Sequence, residues 1–558
     1  MVRPIDLLRQ GRKEELWEMC CGFIDLSLEQ FMSIQKRLLL EQVELLKHCE
    51  LGRKVMRGAM PETVEEFREQ VPLTTYADYC PELAQKREDV LPAKVAHWVR
   101  TSGYTGKYDV KWVPMPEDFV AECEKACGAL ALFALCDRPG DASRLREHMK
   151  ALFTWGPPTY ATGAIGEFVR RAIGCDFMPS NGGEEMLFTE KVKLGFQEAL
   201  CRGLDGFGGL PSVLVAVGEQ LKQQSGKIDT RFLLAHPRAL LRVARGIVKS
   251  KLARRPMLPK DIWAVKGILG GGTDSAIFQK RVEELWGKCP LELYAGTEGC
   301  VYATQTWDYE GMTFVPNLNF FEFIPEREHF KWQLDHSYQP KTILLDEVKA
   351  GEKYEIVITN LHGGIMIRHR IGDMIRITSL RNEKLNIDIP QMVFYSRADD
   401  LIDITGFGHL TEKLIWEAIE NSGVPYVDWA ARKGVAGDRP LLHLYVEPKG
   451  DYVASEKAVA AAVYEQLLKL DTVYHYNIYS AYGDPETVLG LKPVEVTFLP
   501  QGAFVNYISQ REAEGADMGH LKPPHINPSE KVLSLLGAPE VVVVEAAPST
   551  EAERAAAR

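Results

Sequence analysis

The sequence predicts an α/β fold: a large N-terminal α/β domain followed by a smaller α+β domain. Three observations carry this reading. "KDIWAVKGILGGGTDSAIFQKRVEELWG" (260–287) reads as strand, glycine turn and helix, the succession from which parallel sheets are built. "CPLELYAGTEGCVYATQ" (289–305) reads as strand, turn, strand. Near residue 397 the pattern changes to an alternation of strands and helices over roughly 100–150 residues, the usual size of a separate domain.

In chain order, residues 12–58 read as helix. "LSLEQFMSIQKRLLLEQVELLKHC" (26–49) places Leu28, Phe31, Met32, Ile34, Leu38 and Leu39 on one broad apolar stripe, as a packing helix requires. Segments 117–135 and 182–203 are also helical in pattern. "SVLVAV" (212–217) is a short apolar run with β-branched residues, followed by the helical "GEQLKQQSGK". "FYSRADDLIDITGFG" (394–408) reads as strand, charged turn and strand. A helix over 412–421, a strand at "LLHLYVEP" and a helix at "SEKAVAAAVYEQLLK" follow. The domains are therefore expected at 1–396 and 401–535, joined by 397–400. The tail 536–558, rich in Ala, Glu and Pro near its end, is expected to be disordered.

A formal net charge of -11 argues against a dedicated nucleic-acid binder, which needs a basic surface for phosphates. The eleven cysteines form no Cys-x-x-Cys pairs of zinc spacing, and no secretory signal precedes them. They read as reduced, mostly buried thiols of a cytoplasmic protein. The longest apolar stretches, such as "GALALFAL" (128–135), are too short to span a bilayer. His329 and His336 lack a metal-ligand partner and are expected at the surface.

Five segments hold residue types suited to nucleotide chemistry. "TSGYTGK" (101–107) interleaves Ser102, Gly103, Thr105 and Gly106, a composition that presents N–H groups and hydroxyls to an anion. Its spacing is neither that of a Walker A loop nor of a dinucleotide fingerprint, and alone it reads as a surface turn. In "YAGTEG" (294–299), the Tyr294 ring can stack on a purine, Thr297 can bond an α-phosphate, and Glu298 can hold Mg²⁺ through oxygen. "RHRIGDMIRI" (368–377) presents Asp373 as an exposed carboxylate able to accept both hydroxyls of a ribose. "SRADDLIDITGFG" (396–408) and "GHLKPPHI" (519–526), with Lys522 on a proline-stiffened loop, complete the set.

In this order the segments resemble the adenylate-forming superfamily. Within it the chain is similar to the auxin-responsive Gretchen Hagen 3 family of acyl acid amido synthetases, through "VPLTTYADYCPELAQK" (71–86), "NFFEFIP" (319–325) and "QGAFVNYISQREAEGADMGHLKPP" (501–524). It departs from the pattern at Tyr104, in place of a small hydroxyl, at Phe320 and His369, each in place of Tyr, at Asp403, in place of Lys, and at His525, in place of Arg. Either Lys107 or Lys111 matches the loop lysine.

The resemblance implies a large adenylate-forming domain with a small mobile C-terminal one. It also implies an ATP- and Mg²⁺-dependent ligase that turns a small carboxylic acid into an acyl-adenylate and pyrophosphate. The acyl group then passes to an amino acid amine, with coenzyme A as the alternative acceptor; a catalytically silent acid- or nucleotide-binding protein is the third reading. Ser102, Gly103, Thr105 and Gly106 would hold phosphates and Glu298 the metal. Tyr294 and Phe320 would flank adenine, Asp373 would bind the ribose, and Arg397 would touch ribose or phosphate. Lys522 would bridge acyl carboxylate and α-phosphate, and Asp399 would be the hinge. "GGGTDSAIF" (270–278) is expected to line the acyl or adenine pocket, or to be a plain connection.

Overall fold

The computed structural model describes residues 2–100, 111–153, 158–180, 188–209, 211–223, 230–271, 275–335, 337–397, 401–404, 408–436, 439–450, 454–473, 494–513, 523–528 and 530–539. The chain divides into two compact units, Met1–Ala398 and, 517–519 aside, the residues from Asp399 onward.

In the larger unit the helix expected over 12–58 is broken into Lys13–Cys21, Leu28–Lys47 and Glu50–Val55. The break before Leu28 has a local cause. The Ser27 hydroxyl accepts from Gln30 N (3.2 Å) and the Gln30 side chain accepts from Ser27 N (2.9 Å), a reciprocal cap that starts a new helix. The buried stripe of this helix includes Phe31, Met32, Leu38 and Leu39, and also two glutamines. Gln35 donates to the carbonyls of Pro316 and Asn319 and accepts from Phe321 N (3.0 Å). Gln42 donates to Gly364 O (2.7 Å) and accepts from Gly363 N (2.7 Å).

Among the described residues the main sheet has eleven strands. One half is parallel, in the order Asp176–Met178, Lys150–Phe153, Gly206–Gly209, Gly267–Gly270 and Leu291–Gly296. The order continues antiparallel through Cys300–Thr304, Met312–Phe314, Gln391–Arg397, His369–Ser379, Lys353–Asn360 and Asn319–Pro325. Helix Glu117–Leu135 falls where its pattern predicts, with every residue from Ala126 to Leu135 buried. The apolar run 212–217 is part of helix Pro211–Gln223. Proline at the first position presets the helical φ, and packing outweighs the β preference of the valines. Trp286 of helix Ser275–Trp286 lies against it and donates to Leu214 O (2.9 Å).

The smaller unit pairs Leu401–Ile404 with Gly408–Thr411. Among its described residues a three-stranded sheet runs Tyr426–Ala436, Arg439–Pro448, Val494–Phe498, the last two parallel. Helices Glu412–Asn421 and Glu456–Val473 contribute to a core that includes Trp429, Leu442 and Leu444. Leu536 is fully buried beside Leu533, so the tail expected from 536 instead begins as packed chain; 540–558 lie outside the described residues.

Candidate functional site

The turn carrying Thr297 and Glu298 joins strands Leu291–Gly296 and Cys300–Thr304, where the main sheet changes from parallel to antiparallel. It leaves the carboxyl end of a parallel strand, where α/β sheets place their ligands. Both residues are half-buried. Two buried amides hold the turn from beneath. Asn360 Nδ2 donates to Glu298 O (2.9 Å) and to Asn319 Oδ1 (2.9 Å), and Asn319 Nδ2 donates to Gly299 O (2.9 Å). Asn360 Oδ1 in turn accepts from Met366 N (3.1 Å). A Cβ at Gly299 would lie 2.4 Å from the Tyr302 ring and 2.7 Å from Asn319 Oδ1, so only glycine lets the amides approach this closely.

Asp373 reaches the same locality through a fault in the ladder. Arg370 faces Val357 and Met374 faces Glu355, so strand His369–Ser379 advances four residues while its partner advances two. Gly372, at φ +77°, takes the turn inside this bulge, a device that re-aims the following side chain. Asp373 is half-buried rather than exposed, and its Oδ2 accepts from the Tyr294 hydroxyl (2.8 Å). Tyr294 is 6% exposed, tilted against Tyr302 and Phe394 with ring centroids 4.9 and 6.0 Å away. The buried Tyr302 hydroxyl is pushed upward in pKa by burial and then by the charges of Glu298 and Asp373. Across the ladder Asp373 stands opposite Arg397.

Two buried ion pairs brace this strand. Arg368 donates to both Glu322 oxygens (3.0 and 2.8 Å) and to the carbonyls of Arg68 (2.6 Å) and Val71 (2.5 Å), tying segment 71–86 to it. Arg370 donates to both oxygens of Glu355 (2.8 and 2.7 Å), which also contacts His329 Nδ1 (2.7 Å). Burial raises Glu355, but His329 and Arg370 hold it below the ordinary carboxylate range. His329 is thus not a surface residue: it is 1% exposed, drawn inward by this pair. His336 lies outside the described residues. His369, where the family pattern has Tyr, packs edge-on against Tyr79. Burial and the charge of Lys111 push it down to about 3, so it is neutral.

Phe320 does not reach the site. It is 0% exposed in the main core, since its strand is covered on both faces. Ser102, Gly103, Thr105, Gly106 and Lys107 lie outside the described residues, as do Asp399 and Lys522, residues 272–274 of the glycine segment, and the Arg397 side chain. The strands flanking 101–110 are paired, with Arg100 opposite Trp112. Lys111 Nζ sits 5.9 Å from the Tyr76 ring centre.

In the smaller unit, three residues beyond Lys522, His525 contacts Glu412 (2.6 Å) through Nδ1 and Asp428 (2.9 Å) through Nε2, and stacks on Trp429 at 4.5 Å. Its carbonyl accepts from Ala431 N (2.6 Å). Burial lowers the imidazole, but Asp428 and Glu412 outweigh it and hold the group at about 10. His525 therefore carries the charge of the arginine it replaces.

Among the described residues no group of three or more His, Cys, Asp or Glu could enclose a metal. A lone carboxylate beside a hydroxyl fits Mg²⁺, which keeps waters and substrate phosphates as its other ligands. Asn319, Asn360 and the Arg368–Glu322 pair escaped the sequence reading. Their only signal is a polar residue at the edge of an apolar run, as in "YEIVITN" (354–360).

The GH3 family N-terminal domain matches residues 20–167, and the GH3 family central domain matches residues 312–397. Jasmonoyl-L-amino acid synthetase JAR4 of Nicotiana attenuata is 28% identical over 273 residues, 47% of this chain and 43% of that protein. The match thus spans less than half of that relative's length. The solved structure of AtGH3.15 acyl acid amido synthetase in complex with 2,4-DB gives a TM-score of 0.63 at 17% identity, over 93% of this chain and 95% of that one. 2-Hydroxyisobutyryl-CoA ligase in the postadenylation state, in complex with 2-HIB-AMP, gives 0.55 at 16% identity, over 84% and 86%. At these identities the solved structures speak for the fold, and the chain is similar to the GH3 family over the two matched domains, the second of which contains Asn319, Asn360 and the Asp373 bulge.

Proposed function

We propose that this chain activates a carboxylic acid with ATP and passes the acyl group to the amine of an amino acid. The observation that carries the reading is strand Leu291–Gly296 at the sheet's switch point, which leads directly into the Glu298 turn and holds Asp373 through the Tyr294 hydroxyl (2.8 Å). The printed names of JAR4 and AtGH3.15, both synthetases of acid–amine conjugates, favour the amine over coenzyme A.

Two anions must meet at the α-phosphorus, so the protein's work is alignment and charge neutralisation. Asp373 accepts the ribose hydroxyls, with the Tyr294 hydroxyl fixing the carboxylate's orientation. Arg397 touches ribose or phosphate from the adjacent strand. Ser102, Gly103, Thr105 and Gly106, with Lys107 or Lys111, hold phosphate oxygens. Thr297 bonds the α-phosphate, and Glu298 would hold Mg²⁺, which when bound neutralises phosphate charge. Lys522 meets the negative charge shared by the acyl carboxylate and the α-phosphate, and His525 anchors the chain that follows it. The small unit turns about Asp399 between the two half-reactions. A cytoplasmic location belongs to this reading and agrees with the eleven free cysteines.

The test is acid-dependent ATP–pyrophosphate exchange over a panel of carboxylic acids. Amino acids and coenzyme A are then offered as acceptors, and products are identified by mass spectrometry. Exchange with an acid, and an amide product, are expected. Exchange with no acid would refute the activation step; a thioester without an amide would refute the acceptor.

A further inference from the structure

Helix Pro237–Leu252 buries Ala239, Val243, Gly246 and Ser250, spaced by four, three and four residues along one side. At about 100° per residue, the positions directly opposite are Leu241, Val248 and Leu252. They are 69%, 57% and 80% exposed. A helix packed on a core ordinarily turns polar residues outward; this one presents an aliphatic ridge.

The ridge is flanked by cations. Arg238, Arg245 and Lys249 fall within about 80° on one side of it, and Lys251 lies on the other. All four are exposed. No Asp or Glu occurs between Thr230 and Lys260, although the chain as a whole carries -11. Arg242 is engaged elsewhere, donating to Leu200 O (2.7 Å) and Cys201 O (2.8 Å), which fastens the helix to the unit.

We propose that this face docks on an anionic lipid bilayer, with the helix axis in the plane of the surface. Aliphatic side chains between cations match the acyl boundary and the phosphate layer respectively. The sixteen residues give a contact about 24 Å long. Because the opposite side is fixed to the protein, only the ridge enters the lipid, and binding is reversible. A two-fold pairing of copies through this face would set cation against cation. A nucleic acid would satisfy the cations but leave the ridge in water. Among the described residues no helix is long and apolar enough to cross a membrane, so the attachment is peripheral.

The experiment is co-sedimentation of the full chain with phosphatidylcholine vesicles, with and without phosphatidylserine, at low and high salt. Binding is expected only with phosphatidylserine and should weaken with salt. The double variant R245E/K249E should lower the partition at least tenfold, since each basic residue near such a surface is worth on the order of fivefold. L241S/V248S should also release the protein, while both variants keep native circular dichroism and pyrophosphate exchange. Absence of binding, or equal binding to neutral vesicles, overturns the proposal. So does a dimer in sedimentation velocity that L241S/V248S dissolves, which would assign the ridge to a second copy. RNA binding that is indifferent to L241S/V248S, without lipid binding, would assign the cations to nucleic acid.

Discussion

Replacing Asn360 by Ala would separate a held turn from a loose one. The side chain makes three hydrogen bonds in a buried position: to Glu298 O, to Asn319 Oδ1 and from Met366 N. At about 1 kcal/mol net each, their loss should destabilise the larger unit by about 3 kcal/mol. If half of that penalty, about 1.5 kcal/mol, falls on the placement of Glu298, exchange slows by about tenfold or slightly more. Asn382 is the control. It too is a buried asparagine, bonded to Asp308 Oδ2 (2.6 Å) and Leu385 N (3.0 Å), but it braces a different loop. Urea unfolding followed by tryptophan fluorescence measures the stability term, and pyrophosphate exchange at saturating acid measures the other. Asn382→Ala should lose stability alone. An Asn360→Ala enzyme that loses no more exchange than Asn382→Ala would show that the asparagine pair serves only folding.

Glu298→Gln should lower Mg²⁺-dependent exchange at least about tenfold while urea unfolding stays unchanged, because one metal ligand is lost and no buried bond. Asp373→Ala should weaken ATP binding by about 1.5–3 kcal/mol in calorimetry, the worth of a charge-assisted hydrogen bond. Lys522→Ala should suppress adenylate formation about a hundredfold or more yet spare transfer from a supplied acyl-adenylate, whereas Asp399→Pro should do the reverse. Equal loss of the same half-reaction by both would rule out alternation. His525, raised from 6.5 to about 10 between Asp428 and Glu412, stabilises the small unit fully below pH 6.5, and this contribution fades as pH rises through about 10. Thermal melts should therefore fall at alkaline pH in the wild type and lose that slope in His525→Gln.

Local pattern was enough wherever the determinant of structure is itself local. The helices at 117–135 and 412–421 and the strand–turn–strand around Glu298 announce themselves through runs of apolar residues broken by glycine or charge. The apolar run 212–217 does not itself declare a helix, because what packs against it comes from 72 positions later, where Trp286 donates to Leu214 O. Asn360 and Glu298 are 62 positions apart, and Arg368 and Glu322 are 46 apart. Nothing in a window of the sequence shows that such polar residues will be buried together, because each is tolerable in the interior only with its distant partner. His329 is the same case. Without Glu355 in view, a histidine with no metal-ligand partner at the right spacing reads as a surface residue. Phe320 shows the converse error, a motif position whose neighbours decide that it packs inward.

The glutamines of helix Leu28–Lys47 reach across to the 316–321 and 363–364 segments entirely through main-chain atoms. A fastening of this kind is blind to the side chains on its far side. Segments from distant relatives could be exchanged at 316–321 without disturbing it, provided the backbone path and the turn-holding Asn319 are kept, but neither glutamine could be altered without stranding a carbonyl or an amide. In a chimera, then, the helix Leu28–Lys47 is the fixed half of the joint and the segment opposite, Asn319 apart, is the replaceable one.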